Sequence, residues 1–446
     1  MAYLLVPREV SAAEAAVWIG AINERPAASQ VTLEFGAGAV PLDANWNHWA
    51  SQAGPTLDYR RVPLEGLDYG KPYSLQLRVD GQVQASAKVT TLPDRLPAAD
   101  QKPFTILLGS CFSVRKDGAG AAGQTFVQLP PGARPDVKIL CGDQVYLDSP
   151  WTHYLAHTHR PDELEAEFFA NYLQTWNQSG PGLGFQQLLA DGANYFSSDD
   201  HEYWNNAPSK GAYVRDTWNP EGRRQWREIA RGFCRRFQSA STVAQFSVRP
   251  LSFFSVDTRF YRTDDKTDFM KAGDLAEFGQ WIAGLSGPGV LVLGQPVFTG
   301  KTGPSGEYGD WGLADFSQYD ELARWLTSSR HSIVILTGDV HYGRVSRCTL
   351  PSGVELMEVI SSPLRLVDWL ARGKWSKAPE LFPAFDIPGV PKAAVQTESF
   401  AAGDNHFLTL EFSASGTGAK MAVRAWSIRG GKESWAGQTV FERLLQ

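Results

Sequence analysis

The chain has 446 residues, of which 43% are hydrophobic and 20% are charged, and its formal net charge is −6. This length exceeds that of most proteins with a single core, so we expect two or three domains, or one large domain with an appendage. The ordinary composition is typical of a soluble globular protein, and the acidic balance argues against a nucleic-acid polymer as partner.

The first segment, MAYLLVPREV, contains an apolar run that is too short for the hydrophobic region of a signal peptide, and no small-residue cleavage site follows it. No apolar run in the sequence is long enough for a transmembrane segment. The sequence as written therefore predicts a cytoplasmic protein, or a periplasmic or secreted one if an export signal has been removed. It does not indicate an oligomeric state.

Residues 1–100 show the pattern of an all-β domain followed by a linker. Short runs with partial alternation of apolar and polar residues are separated by Gly, Asp and Pro, as in a small antiparallel sandwich. The predicted strands are 31–35, 59–64, 73–79 and 84–91. The proline-containing segment TLPDRLPAADQKP indicates the linker, so we predict domains at 1–100 and 101–446.

After residue 100 the sequence alternates between apolar runs and helical patterns, which predicts an α/β fold. Continuous apolar runs that end in polar residues are typical of strands buried on both faces. The predicted strands are 104–110, 137–143, 194–200, 253–259, 290–296 and 332–341, and the predicted helices are 161–176, 221–237, 270–285 and 317–329. The last third returns to β, in VELMEVIS, HFLTLEFSA and KMAVRAWSI. This alternation alone would also permit one doubly wound sheet.

Several of these predicted strands end in residues of the types that serve as metal ligands in proteins. In chain order the residues are Cys111, Asp143, Tyr146, Asp148, Asp199, Asp200, His201, Gln295, Asp339 and His341. Because sites in open α/β sheets form beyond the carboxyl ends of the strands, we expect these groups to converge. A thiol, a phenol, carboxylates and imidazoles together form a coordination set by type and number.

Each motif also has a purely structural interpretation. The GD of GDQVYLD is common in plain turns, and Cys111 alone is more often a small buried apolar residue. The acidic residues of DDHE suit the first turn of a helix, and His341 alone suits a hydrogen-bonded core histidine. All of these interpretations must hold together for a site to be absent, so a metal centre is the better prediction.

The ordered set GSC, GDQVYLD, DDHEYWNN, DTRFYR and GDVH resembles the alkaline phosphatase D family of the calcineurin-like metallophosphoesterases, over residues 103–415. The GDxxY element also resembles the purple acid phosphatases. This resemblance implies a four-layer αββα sandwich. It also fits an N-terminal all-β domain like fibronectin type III, whose late strands the segment GLDYGKPYSLQLRV resembles.

The resemblance implies a pair of metal ions in the site. Asp143 would bridge them and take part in catalysis, and Cys111 and Tyr146 would bind an iron(III) ion. The wider superfamily has a DxH motif where this chain has Cys111, which favours iron together with a harder ion over two zinc or two manganese ions. The implied pair is Fe(III) and Ca(II), with manganese, magnesium or zinc as alternatives.

The same resemblance assigns the remaining positions. Asp200 would bind the second ion, and His201 would contact the phosphoryl oxygens or protonate the leaving group. Arg259 would contact phosphate or pair within the fold. The other implied metal ligands are Asp199, Asp339 and His341, with Asp148 and Gln295 as further oxygen donors.

The predicted function is hydrolysis of a small phosphate ester, a monoester or a diester, by a metal-activated hydroxide. A phosphodiesterase or phosphotriesterase of narrow specificity is an alternative, because loops set the substrate on a common scaffold. A non-catalytic binding protein with an inactive phosphatase core is another, but it predicts missing ligands and none is missing. The HExxH and GxSxG motifs of other hydrolases are absent from the sequence.

Other polar and aromatic residues near these motifs have less specific interpretations. His153, His157 and His159 follow GDQVYLD at a spacing that suits a metal, but a solvated loop is the favoured interpretation. His406 is predicted to be structural. Four aromatic residues either pack in the core or form a wall for the leaving group, namely Trp151, Tyr203, Trp204 and Trp311.

Overall fold

The computed structural model describes residues 2–26, 29–36, 38–50, 55–118, 120–178, 184–303, 306–367, 376–428 and 434–446. Its first eight strands are β1 (Ala2–Val10), β2 (Ala15–Ile22), β3 (Val31–Phe35), β4 (Gly38–Leu42), β5 (Asn47–Ala50), β6 (Thr56–Leu64), β7 (Pro72–Val79) and β8 (Gln82–Thr90). They form two antiparallel sheets with the orders β1-β2-β6-β5 and β4-β3-β7-β8. The four strands predicted here are present, whereas β1, β2, β4 and β5 were not predicted.

A six-stranded sheet follows, made of strands from both ends of the remaining chain. They are β9 (Phe104–Gly109), β10 (Val137–Cys141), β11 (Ala193–Ser197), β20 (His406–Ser415), β21 (Gly418–Ser427) and β22 (Ala436–Leu445). The order is β11-β10-β9-β20-β21-β22, in which β9, β10 and β11 are parallel. The carboxyl ends of these three strands therefore lie at one edge of the sheet.

An eight-stranded sheet contains the intervening strands. They are β12 (Val243–Val248), β13 (Leu251–Val256), β14 (Gly289–Val292), β15 (Ile333–Thr337), β16 (Gly343–Thr349), β17 (Glu355–Ile360), β18 (Leu381–Phe382) and β19 (Ala393–Ala402). The order is β12-β13-β14-β15-β17-β16-β19-β18, with β13, β14, β15 and β17 parallel. The fold is thus mixed α/β with several sheets, and the single doubly wound sheet that alternation alone would permit does not occur in the described residues.

The helices are α1 (Val114–Asp117), α2 (Ala121–Val127), α3 (Trp151–Ala156), α4 (Pro161–Trp176), α5 (Phe185–Ala190), α6 (Pro220–Phe237), α7 (Ala272–Gly284) and α8 (Tyr319–Ser328). The four long ones lie where the sequence predicts them. In α6 the buried residues Trp226, Ala230, Phe233 and Phe237 recur at helical spacing, and the six arginines lie at other positions of the helix. In the described helices no segment is long and apolar enough to cross a membrane.

The buried apolar residues form three clusters, because successive side chains along a strand point to opposite faces of its sheet. Ile106 and Leu108 of β9 belong to one cluster with Val334 and Leu336 of β15, so the two large sheets share an apolar interior. Leu107, on the opposite face of β9, belongs to a second cluster with residues of α4 and α6. A third cluster joins the eight-stranded sheet to α7 and α8.

The N-terminal strands share these clusters with the rest of the protein. Trp18 of β2 is fully buried, and its ring centroid lies 5.4 Å from that of Phe237 in α6. The Tyr195 hydroxyl donates a hydrogen bond of 2.7 Å to the Val10 carbonyl oxygen. The ring centroid of Trp49 lies 4.4 Å from that of Phe169 in α4. The first two sheets are therefore packed on the α/β part.

Substitution of Trp18 tests this shared core. We expect Trp18→Ala to lower the free energy of unfolding by about 3–5 kcal/mol, because it removes a large buried side chain between β2 and α6. Urea denaturation followed by circular dichroism measures the change. Tyr69→Ala is the control, since Tyr69 is 59% exposed and should tolerate truncation. Equal stability of the two variants would contradict a shared core.

Candidate metal centre

The ends of parallel strands position the candidate ligands. Cys111, Asp143 and Asp199 each lie two residues after the last residue of β9, β10 and β11, and Asp339 lies two residues after β15. The six-stranded and eight-stranded sheets pack against each other, so the carboxyl ends of both sets of strands meet. This placement follows the general rule that sites form beyond the carboxyl ends of parallel strands.

Three overlapping groups of ligand atoms result. Within each group the atoms lie within 4.8 Å of one another; the groups are Cys111 with Asp143 and His341, Asp143 with Asp200 and His201, and Asp199 with Asp200 and Asp339. Asp143 and Asp200 each belong to two groups. Six predicted metal ligands and His201 thus lie together, and Asp143 and Asp200 connect the three groups.

The backbone at this centre is held in a rarely populated conformation. Positive φ angles occur at Cys111 (57°), Asp143 (58°), Asp339 (69°) and His341 (56°). Side chains other than glycine adopt this left-handed region infrequently, and the surrounding structure must impose it. Four of the eight non-glycine residues with positive φ in the described chain thus lie at this centre, and strained backbone of this kind concentrates at functional sites.

The glycines of the two GD motifs allow the loops to approach closely. A Cβ atom on Gly142 would lie 2.4 Å from the Cβ of Asp199, and one on Gly338 would lie 2.4 Å from the Cβ of Ser110. No real side chain fits at these distances. The glycine before each aspartate is therefore required by packing between the loops, in addition to any role in a turn.

Cys111 and Tyr146 provide a thiol and a phenol on the same side of Asp143. The Cys111 Sγ lies 3.4 Å from Asp143 Oδ2, and the Tyr146 hydroxyl lies 3.5 Å from the same oxygen. Burial raises the pKa of both groups well above the usual range, and the Asp143 carboxylate adds to the effect. A bound cation would reverse this effect, so metal binding here would release protons.

Asp199 and Asp200 have carboxylate oxygens that no described residue satisfies. Asp199 is 1% exposed and Asp200 is 4% exposed, and one oxygen of each lacks a hydrogen-bond partner. The other Asp199 oxygen accepts from Arg259, and the other Asp200 oxygen accepts from the Asn206 backbone N–H at 2.6 Å. Unpaired buried carboxylate oxygens are costly, so these residues fit a bound cation.

The concentration of carboxylates leads to the same conclusion. Burial and neighbouring carboxylates raise the pKa of Asp143 and of Asp339 well above the usual range. Burial raises the pKa of Asp199 to about 6, although Arg259 opposes the shift. Burial lowers the pKa of His341 to about 4, which keeps the imidazole in its neutral, metal-binding form. Bound cations would relieve the repulsion among these carboxylates.

His201 forms a pair with Asp148. The His201 Nδ1 lies 2.8 Å from Asp148 Oδ1, and the other Asp148 oxygen accepts from the Asn205 backbone N–H at 2.8 Å. Burial alone would lower the pKa of His201, but the carboxylates of Asp148, Asp200 and Asp143 outweigh it and raise that pKa well above its usual range. The imidazole is thus oriented and favours its protonated form.

Gln295 and Arg259 are joined to the centre through its aspartates. The Gln295 Nε2 donates to Asp339 Oδ2 at 2.8 Å, and Arg262 donates to the Gln295 oxygen at 2.7 Å. Arg259 forms a buried ion pair with Asp199, while its Nη2 has no partner in the described residues. Arg262 was not singled out in the sequence, although it is the last residue of the DTRFYR motif.

Glu202 is a further residue that the sequence did not single out. Its carboxylate is fully buried and accepts hydrogen bonds from the backbone N–H groups of Asp143, Gln144 and Asp199, at 2.7, 2.7 and 2.8 Å. It thereby fixes the loops after β10 and β11 to each other. The signal available in the sequence was its place as the last residue of DDHE.

A polar cavity of about 320 Å³ lies beside Asp339 and Gln295. Its lining includes Phe298, Tyr342 and Lys377. The cavity therefore reaches the centre through Asp339, the one grouped carboxylate in its lining.

The remaining predicted residues lie elsewhere. His406 is buried with its Nδ1 2.7 Å from the Asp404 carbonyl oxygen, as expected of a structural histidine. Tyr203 and Trp204 are buried, and Trp151 is 54% exposed.

These observations define a mixed α/β protein with a buried cluster of side chains of the types that bind metal ions. Comparison with known proteins bears on its fold. No protein-family profile and no curated protein matches the sequence. A solved structure titled "Structure of PhoD" matches the fold with a TM-score of 0.63 and 14% sequence identity, over 99% of this chain and 91% of that chain. The protein therefore has a PhoD-like fold, which confirms the predicted resemblance at the level of fold.

Substitution of Glu202 tests its role in assembling the centre. In Glu202→Gln an amide nitrogen would face backbone N–H donors, so we expect a loss of about 1–3 kcal/mol in the free energy of unfolding. We also expect metal affinity to fall by about 10–100-fold, as for other groups that hold ligands in place. Denaturation and metal analysis measure both effects. The exposed Glu228→Gln is the matched control, and identical behaviour of the two variants would contradict this role.

Proposed function

We propose that this protein is a metal-dependent phosphoesterase that hydrolyses small phosphate esters. The observation that carries the proposal is the set of three overlapping ligand groups. Together they contain a thiol, carboxylates and imidazoles, and within each group the ligand atoms lie within 4.8 Å of one another. The PhoD-like fold supports the same conclusion. The proposed metal ligands are Cys111, Asp143, Tyr146, Asp199, Asp200, Asp339 and His341.

We infer two metal ions of different character. Cys111 and Tyr146 lie beside Asp143 and suit iron(III), because thiolate and phenolate are strong donors to that ion. Asp199, Asp200 and Asp339 form a group with oxygen atoms alone, which suits calcium, with magnesium, manganese or zinc as alternatives. When bound, the ions would neutralise charge on the phosphoryl oxygens and lower the pKa of a bound water.

The protein side chains have separate tasks in this proposal. His201 holds a proton for the leaving-group oxygen, and Asp148 keeps the imidazole oriented and protonated. Arg259 fixes Asp199 through a buried ion pair, and its Nη2 supplies a positive charge for a phosphoryl oxygen. The cavity beside Asp339 receives the organic part of the ester.

We also infer the finer architecture from the clusters of buried residues. Helices α4 and α6 cover the six-stranded sheet, and α7 and α8 cover the eight-stranded sheet, which supports a four-layer αββα sandwich. The orders of the first two sheets support a fibronectin type III-like domain. The proposed boundary between this domain and the catalytic domain lies near residue 100.

Hydrolysis of p-nitrophenyl phosphate and bis(p-nitrophenyl) phosphate tests the proposal. We expect release of p-nitrophenol by the metal-loaded protein and a loss of about three orders of magnitude in Asp143→Asn, since several kcal/mol of transition-state stabilisation depend on the ions. Asparagine tolerates the left-handed backbone at Asp143, so this variant should fold. Faster turnover of the diester would define a phosphodiesterase, and faster turnover of the monoester a phosphomonoesterase.

Asp339→Asn controls for contaminating phosphatases in the same assay. Activity that persists at the wild-type rate in both variants would come from another protein and would contradict the proposal. Metal content is measured in parallel. A wild-type protein that retains its metals and hydrolyses neither ester would support the inactive-core alternative.

The pH dependence of kcat/KM tests the pairing of His201 with Asp148. In Asp148→Asn the neighbouring negative charge is removed, so the pKa of His201 falls and the protonated acid is lost at lower pH. We expect the alkaline limb of the pH profile to move to lower pH by about one unit or more. An unchanged alkaline limb in Asp148→Asn would show that His201 does not act as the acid.

A further inference from the structure

Three histidines outside the metal centre form a second group of nitrogen donors, which we call the histidine cluster: His153, His157 and His159. His153 lies in α3, and His157 and His159 lie between α3 and α4. The ring centroids of His157 and His159 are 4.4 Å apart, those of His153 and His159 are 4.9 Å apart, and those of His153 and His157 are 5.8 Å apart. The segment is not a fully solvated loop, because His159 is 8% exposed.

The spacing of two imidazole nitrogens in the cluster suits a tetrahedral metal ion. His153 Nε2 and His159 Nε2 lie 3.3 Å apart. Two nitrogens bound tetrahedrally to zinc at about 2.0–2.1 Å are about 3.3–3.4 Å from each other. These two side chains could therefore bind one ion without rearrangement.

Asp216 orients His159 for this purpose. Its carboxylate accepts from the His159 backbone N–H at 2.7 Å and lies 2.8 Å from His159 Nδ1. The Asp216 and His159 side chains are 5% and 2% exposed. A carboxylate on Nδ1 fixes the tautomer that leaves a lone pair on Nε2, which is the usual arrangement behind a metal-binding histidine.

A third ligand requires a side-chain rotation, because the groups of three or more ligand atoms within 4.8 Å in the described residues do not include this pair. His157 is exposed, so rotation of its side chain can bring a nitrogen to the same point. A Glu167 oxygen lies 3.6 Å from His153 Nε2. Imidazoles with one carboxylate or water form a donor set preferred by zinc and related divalent transition metals.

We propose that the histidine cluster binds one Zn²⁺ ion that is separate from the phosphoesterase centre. The ion would join α3 to the turn Arg215–Trp218, which carries Asp216. The joined segment begins next to Asp148, the partner of His201. The ion therefore stabilises the loop that supports the proposed acid, but its binding does not depend on the proposed reaction.

The test counts zinc in the full chain prepared without a polyhistidine tag. Protein stripped with a chelator is reloaded with Zn²⁺ and gel-filtered, and bound zinc is measured by mass spectrometry. We expect His153→Asn/His157→Asn to hold one equivalent less than the wild type. The increase in melting temperature produced by Zn²⁺ should also be smaller in this variant, by about 2–4 °C.

Two further variants separate the sites. His331→Asn, a histidine outside the cluster, should bind as much zinc as the wild type. Asp143→Asn should lose metal from the phosphoesterase centre yet retain the cluster equivalent and, with Co²⁺, show the intense visible absorption of a tetrahedral ion. Absence of that absorption, or equal zinc in the wild type and the double variant, would overturn the proposal and leave only the contact between the imidazoles of His153 and His159.

Discussion

Electrostatic repulsion among buried carboxylates is the constraint on which the rest of this structure depends. Asp143, Asp199, Asp200 and Asp339 converge where two sheets meet, in a space largely closed to water. Carboxylates this close cannot all remain ionised without compensating positive charge. Arg259 compensates part of it through its ion pair with Asp199. One carboxylate oxygen each of Asp199 and Asp200 still lacks a hydrogen-bond partner, and from this we infer that cations bind here.

Much of the surrounding structure holds this unfavourable arrangement in place. Glu202 connects the loops that follow β10 and β11, and Gln295 connects Asp339 to Arg262. The left-handed backbone at Asp143 and Asp339 adds strain that the packed sheets must balance. This geometry lowers the stability of the folded protein, and burial of the large apolar cluster between the sheets offsets the loss.

The N-terminal sheets and the histidine cluster both lie next to the helices that cover the six-stranded sheet. Trp18 and Trp49 pack against helices that cover the six-stranded sheet. The loop that begins at Asp148 passes through α3 and the histidine cluster before it enters α4. A metal ion in that cluster would add a local crosslink to a loop that hydrogen bonds and the buried side chain of Tyr154 already hold.

The sequence by itself determined nine strands of the α/β part, the four long helices and the types of ligand at the strand ends, because periodicity and the residue that follows a strand are local properties. It missed β1, β2, β4 and β5 in the N-terminal sheets and β12, β16, β18, β19 and β22 in the α/β part. Only the tertiary structure decided that Cys111 and Asp339, from different sheets, share one centre, and that Glu202 joins two of its loops. These facts depend on strand order and packing between residues far apart in the chain, which no local pattern encodes.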